Sequence, residues 1–95
     1  MPTLHIEHAI TDFDVWQAAF GRLADVRQRS GVLRERVLRP VDDAHYIVLD
    51  LDFERAGQAE AFRSFLEQKV WRSKESAPAL AGKPHTRILD LVDAG

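Results

Sequence analysis

From Thr3 to Ile10 the side chains alternate: Leu4, Ile6, His8 and Ile10 fall on one side, Thr3, His5 and Glu7 on the other. A period of two marks a half-buried strand. The period then lengthens. Phe13, Trp16, Phe20, Leu23 and Val26 or Arg27 recur at helical spacing and predict a helix over residues 12–29, with Thr11 and Asp14 at the spacing of a capping box. Ser30-Gly31 supplies the left-handed residue that ends helices. Residues 32–39 and 45–53 read as two strands joined by Pro40-Val41-Asp42-Asp43-Ala44, where Pro and Asp favour a turn. Ala59, Phe62, Phe65, Leu66 and Val70 form the apolar stripe of a second helix over residues 55–72. Pro78 and Gly82 break residues 73–83 into a surface loop, and a last strand is expected over 85–92, with a frayed end at 93–95.

The order βαββαβ predicts an α+β domain over residues 1–95: a four-stranded antiparallel sheet with both helices on one face. In the central hairpin, Arg34 opposite Asp50 pairs unlike charges and aligns Leu33 and Val37 with Leu51 and Ile47, whereas Glu35 opposite Asp50 sets two acids together. The first register is the expected one. It leaves His5, Glu7, Arg34, Arg36, Leu38, Tyr46, Val48 and Asp50 on the face without helices. That mixture suits an isologous homodimer through the open sheet face; a monomer with a wet face is the alternative.

Composition narrows the chemistry. With 45% apolar and 29% charged residues the chain has the make-up of a folded protein. Thirteen basic and fifteen acidic side chains, interspersed to a net charge of −2, argue against nucleic-acid binding, which needs clustered positive charge. The absence of cysteine removes thiolate catalysis and Cys-containing metal sites. No apolar run approaches the ~20 residues of a membrane span, so no membrane partner and a cytoplasmic location are expected. No nucleotide-binding or nucleophile-elbow motif is present, and no cofactor is expected.

Asp12-Phe13-Asp14-Val15-Trp16 at the start of helix one, Gly31 before the second strand, and Ala59 with Phe62 after an acidic strand end complete a pattern that spans nearly all 95 residues. In this it resembles the ferredoxin-like, dimeric α+β barrel superfamily, in particular small proteins like the antibiotic-biosynthesis monooxygenases. The resemblance implies a pocket between helices and sheet for a hydrophobic small molecule, in some relatives oxygenated without metal or flavin. Oxygenating relatives use an Asn with a Trp, and haem-binding ones add a His on the second helix. This chain has no Asn, and neither predicted helix contains His.

His8 shares the helix-facing side of its strand and is the first candidate acid or base; a half-wet position bonded to a carbonyl is the alternative. Glu35 is its candidate partner if it points inward with Leu33 and Val37, or a rim residue if its edge strand leaves it in solvent. Trp16, Phe20, Phe62 and Trp71 are candidate walls of a substrate pocket or plain core. His5 and Glu7, on the other face, would need a third ligand such as His85 to hold a metal; cross-strand hydrogen bonding is the simpler reading, and no metal site is expected. Three functions are open: a cofactor-independent monooxygenase, isomerase or cyclase acting on an aromatic or polyketide-like substrate; a non-catalytic dimeric ligand-binding or stress-related protein; and a structural dimerisation module. A cavity of about 300 Å³ or more favours the first two.

Overall fold

The computed structural model describes residues 1–92, so the frayed end expected at 93–95 lies outside it. Strands β1 (Thr3–Ile10), β2 (Arg34–Leu38), β3 (Tyr46–Asp52) and β4 (Leu80–Leu89) form one antiparallel sheet in the order β2-β3-β1-β4. Helices α1 (Phe13–Arg22) and α2 (Ala24–Arg29) follow β1, and α3 (Ala56–Phe65) follows β3. This is the α+β ferredoxin-like arrangement.

Alternation in β1 and β3 sends Leu4, Ile6, Leu49 and Leu51 into one core with Phe53 and with Ala59, Phe62, Leu66 and Val70 from the helical layer. Phe53, Leu4, Ile6, Ile47 and Leu51 are the largest fully buried side chains, each contributing roughly 1.5–3 kcal/mol through removal of apolar surface from water. Gly31 closes α2 with φ +99, and a Cβ there would stand 2.7 Å from Gln58 Nε2. Gln58 is itself fixed, accepting the Arg55 backbone N–H at 3.0 Å. Only glycine satisfies both the dihedral and the space.

Several local expectations are corrected. Asp12, not Thr11, caps α1: its carboxylate accepts the Val15 N–H at 2.9 Å from an extended backbone. Helix one is broken at Leu23 (φ −99, ψ 12), whose N–H turns to the Phe20 carbonyl at 3.2 Å. The Arg27 guanidinium bonds the same carbonyl, so the break is built into the packing. Helix two changes at Leu66–Val70 into a π-helix, the Trp71 N–H reaching back five residues to the Leu66 carbonyl at 2.8 Å.

In the hairpin, Arg36 rather than Arg34 stands opposite Asp50, while Arg34 faces Asp52 and Glu35 faces Leu51. A slide of two residues keeps every side chain on its expected face, so charge pairing alone could not separate the two registers. Contacts beyond the hairpin pairs pin it: Glu35 accepts from Arg27 Nε at 2.7 Å, and Leu33 N–H donates to the Asp52 carbonyl at 2.8 Å. Strand β4 starts at Leu80, five residues before the expected position, because Gly82 and Pro84 form a bulge and not a loop. Glu7 pairs with His85 and Ala9 with Ala81, so β4 places extra residues opposite His8, with Gly82 at φ +76. A bulge on an edge strand tolerates proline's missing N–H.

The open face is hydrogen-bonded at its centre. His5 Nδ1 lies 2.6 Å from Asp50 Oδ1 and Nε2 lies 2.8 Å from Glu7 Oε2, while Tyr46 donates its hydroxyl to Glu7 Oε1 at 2.7 Å. Edge strand β2 is exposed at all five positions.

Candidate functional site

Strand β1 carries His8 in phase with the core residues Ile6 and Ile10, which leaves it only 6% exposed. It borders a cavity of about 70 Å³ between sheet and helices. Trp16 and Phe20 of α1 form one wall, with their rings stacked at 4.8 Å; Phe62 of α3 and Trp71 after the π-helix form another. All four expected aromatic residues therefore line one space. Trp71 meets the His8 ring edge-on, centroids 6.5 Å apart.

The imidazole's protonation follows from its surroundings. Nδ1 is 2.8 Å from the Ala9 carbonyl, which can only accept, so Nδ1 carries the proton and Nε2 a lone pair. Burial pushes the His8 pKa below its ordinary 6.5, the bond to Ala9 opposing this only in part, and the ring is neutral at pH 7. Nε2 has no hydrogen-bond partner among the described residues and is not fully buried, and His8 borders the cavity. A neutral imidazole with a free lone pair bordering a mostly apolar chamber is equipped to accept one proton or hydrogen bond.

Glu35 faces the helical layer, as the alternation of β2 implies, but it does not line the cavity. Its carboxylate takes Arg27 Nε at 2.7 Å and Nη2 at 3.4 Å, and its side chain stays 40% exposed. The structure does not bring Glu35 and His8 together as a proton-transfer couple: the carboxylate is paired with Arg27 and lies off the cavity wall. Arg27 itself is 7% exposed at its side chain, lies 3.5 Å above the Phe20 ring, and borders the cavity. Of its five N–H groups three are committed, one to the Phe20 carbonyl and two to Glu35, which leaves two.

Arg27 was the cavity-lining residue least visible in the sequence. Its signal was positional: it sits at the helical spacing of Trp16, Phe20 and Leu23, where a charged residue is buried only when paired. Ser76, Ala77, Ala79 and Leu80 also border the cavity, from a segment read as a surface loop. Among the described residues no group of three or more His, Asp or Glu side chains is arranged to hold a metal ion, and no helix is long and apolar enough to cross a membrane.

No protein-family model matches the chain, and no curated protein matches it in sequence. Solved structures do match in shape. A Nitrosomonas europaea protein provisionally described as an antibiotic biosynthesis monooxygenase superposes with a TM-score of 0.72 at 16% identity, covering 98% of this chain and 100% of that one. SnoaB, a cofactor-independent oxygenase from Streptomyces nogalater, gives 0.70 at 18% identity over 98% and 94% of the two chains. A dimeric ferredoxin-like protein from an uncultured marine organism gives 0.65 at 10% identity over 97% of each. Across nearly its whole length, the chain has the ferredoxin-like α+β fold found in antibiotic biosynthesis monooxygenases and dimeric ferredoxin-like proteins.

Proposed function

We propose that the protein is a homodimeric, cofactor-independent enzyme of the monooxygenase, isomerase or cyclase type, acting on a hydrophobic aromatic or polyketide-like molecule in the helix–sheet cavity. One observation carries the reading: the neutral His8, with no protein partner on Nε2, borders a mostly apolar chamber. The shape shared with a cofactor-independent oxygenase supports the reaction class, and the shape shared with dimeric proteins supports the homodimer.

The chemistry is proton abstraction. His8 Nε2 takes a proton from an activated C–H or O–H of the substrate, and the carbanion or enolate formed is held by Trp16, Phe20, Phe62 and Trp71. The two free N–H groups of Arg27 offer the only full positive charge at the cavity wall. Glu35 serves this step by holding Arg27. In the oxygenase form the anion reduces dioxygen, and the balance is R–CH2–R′ + O2 → R–CO–R′ + H2O. In the isomerase form the proton returns to another carbon.

Volume favours a second reading. About 70 Å³ holds a few waters or a very small ligand, far below the roughly 300 Å³ at which ordinary ligand sites begin. A polycyclic substrate needs Trp16 or Trp71 to swing aside. A non-catalytic binder of small ligands needs less.

The test combines binding with turnover. Anthrone-like and single-ring phenolic compounds are titrated into wild-type and His8→Gln protein, with oxygen consumption recorded alongside. The enzyme reading expects turnover by wild type and a loss of roughly 100-fold or more in the variant, the usual contribution of a general base. Binding without turnover supports the binder, and turnover unaffected by the substitution removes His8 from the chemistry.

A further inference from the structure

The open sheet face carries charge in bands. Its outer strands are basic, with Arg34 and Arg36 on β2 and His85 and Arg87 on β4; its central strands bring Asp50, Asp52 and Glu7. A second copy packed face to face with its strands crossing these sets each basic outer strand across acidic central strands as well as basic ones, and the acidic centre near its own counterpart. The face thus carries charges of both signs that an isologous contact can pair. Leu38, Val48, Tyr46 and Leu89 supply apolar area on the same face.

At the centre of the acidic band lies His5. Both ring nitrogens are occupied by carboxylates, Asp50 at 2.6 Å and Glu7 at 2.8 Å. A neutral imidazole has a single N–H, so it can donate to one carboxylate while aiming a lone pair at the other. In an isolated chain the rejected carboxylate can turn to water, since the side chains of Glu7 and Asp50 are 37% and 22% exposed. Beneath a partner sheet that escape closes: Glu7 keeps the Tyr46 hydroxyl on Oε1, but two carboxylates then share a single imidazole N–H, and burying their second negative charge is costly. The other charged neighbours are Arg87 of β4 opposite His5, His85 opposite Glu7, and Arg36 of β2 opposite Asp50; the bonds to the two carboxylates come from His5 and, on Glu7, from Tyr46, and from none of these three.

We propose that the second copy docks on this face only with an imidazolium at position 5, so that the dimer forms and dissolves with pH. This rests on the homodimer reading above. The bond to Glu7, then that to Asp50, already holds the His5 pKa above 6.5 in the single chain, against the opposing effect of burial. Because association and proton binding are linked, docking must raise it further.

Sedimentation equilibrium over about pH 5.5 to 9 tests this in wild type and His5→Gln. The expected wild-type Kd is lowest near pH 6 and rises, toward about 100-fold per pH unit, as two imidazolium protons per dimer are lost. His5→Gln should associate weakly and without pH dependence. A wild-type monomer at every pH defeats the homodimer reading itself. A dimer whose Kd stays constant across the range leaves the homodimer standing and overturns the proton link, as does a pH dependence that His5→Gln retains. A second measurement needs no variant: imidazole NMR titrations at two protein concentrations should show one histidine of the four titrating at higher pH in the concentrated sample. If none moves with concentration, the link is overturned.

Discussion

Removing Glu35 should cost more than a half-exposed carboxylate ordinarily does. Its partner Arg27 is 7% exposed, fixed over Phe20, and donates two bonds to Glu35 and one to the Phe20 carbonyl. Glu35→Ala strips the buried guanidinium of its counter-charge while leaving it in place. Breaking a fully buried pair costs about 3–5 kcal/mol. Exposure of Glu35 screens the interaction and lets water replace part of it, which brings the expected loss to about 1–3 kcal/mol. For a domain of this size that lowers the Tm by roughly 4–24 °C. Arg27→Met leaves a carboxylate that can hydrate, and the double variant leaves no orphaned charge. Urea unfolding of the two single variants and the double variant closes the cycle, with an expected coupling of about 1–2 kcal/mol. If Glu35→Ala falls within ±0.5 kcal/mol of wild type and the cycle is additive, Arg27 does not depend on Glu35, and the account of the cavity wall is wrong.

Gly31→Ala must bear a left-handed backbone and a 2.7 Å contact with Gln58, so a loss of about 1–3 kcal/mol is expected in urea melts, and Gln58→Ala should recover the steric part alone. Phe53→Ala empties a fully buried site and should cost about 3–5 kcal/mol; a loss under 1 kcal/mol would mean the core collapses to fill it. Stability should fall on both sides of about pH 6.5 for opposite reasons. His8, with a lowered pKa, gains its proton more readily when unfolded, so stability drops as pH falls from 6.5 through its folded value; His5, with a raised pKa, stabilises fully below 6.5 and loses that contribution as pH rises through its folded value. Urea titrations across pH should lose the acid limb in His8→Gln and the alkaline limb in His5→Gln. Exchange of the two limbs would contradict the assignment.

Alternation and helical spacing carried the element order, the covered face and the aromatic walls, because burial writes itself into side-chain polarity at fixed periods. Leu4, Ile6 and His8 could be placed on one side from spacing alone. What spacing could not show were contacts that leave the pattern unchanged. The slide that puts Arg36 opposite Asp50 preserves both faces, and the bulge at Gly82 and Pro84 consists of the residues that elsewhere make loops. Arg27 escaped because a paired cation in an apolar stripe looks the same in sequence as a solvated one at its margin. Cavity volume depends on side-chain packing to within a methyl group and has no signature of its own.

The π-helix at Leu66–Val70 gives chain length a chemical meaning. Removing a single residue from it would restore α-helical winding, because an i→i+5 turn holds one residue more than an i→i+4 turn over nearly the same rotation. Trp71 would then keep its place on the cavity wall, one position earlier in the chain. A relative of this shape that lacks the extra residue can therefore build the same wall, and a gapless alignment across this turn would assign the role of Trp71 to the wrong position.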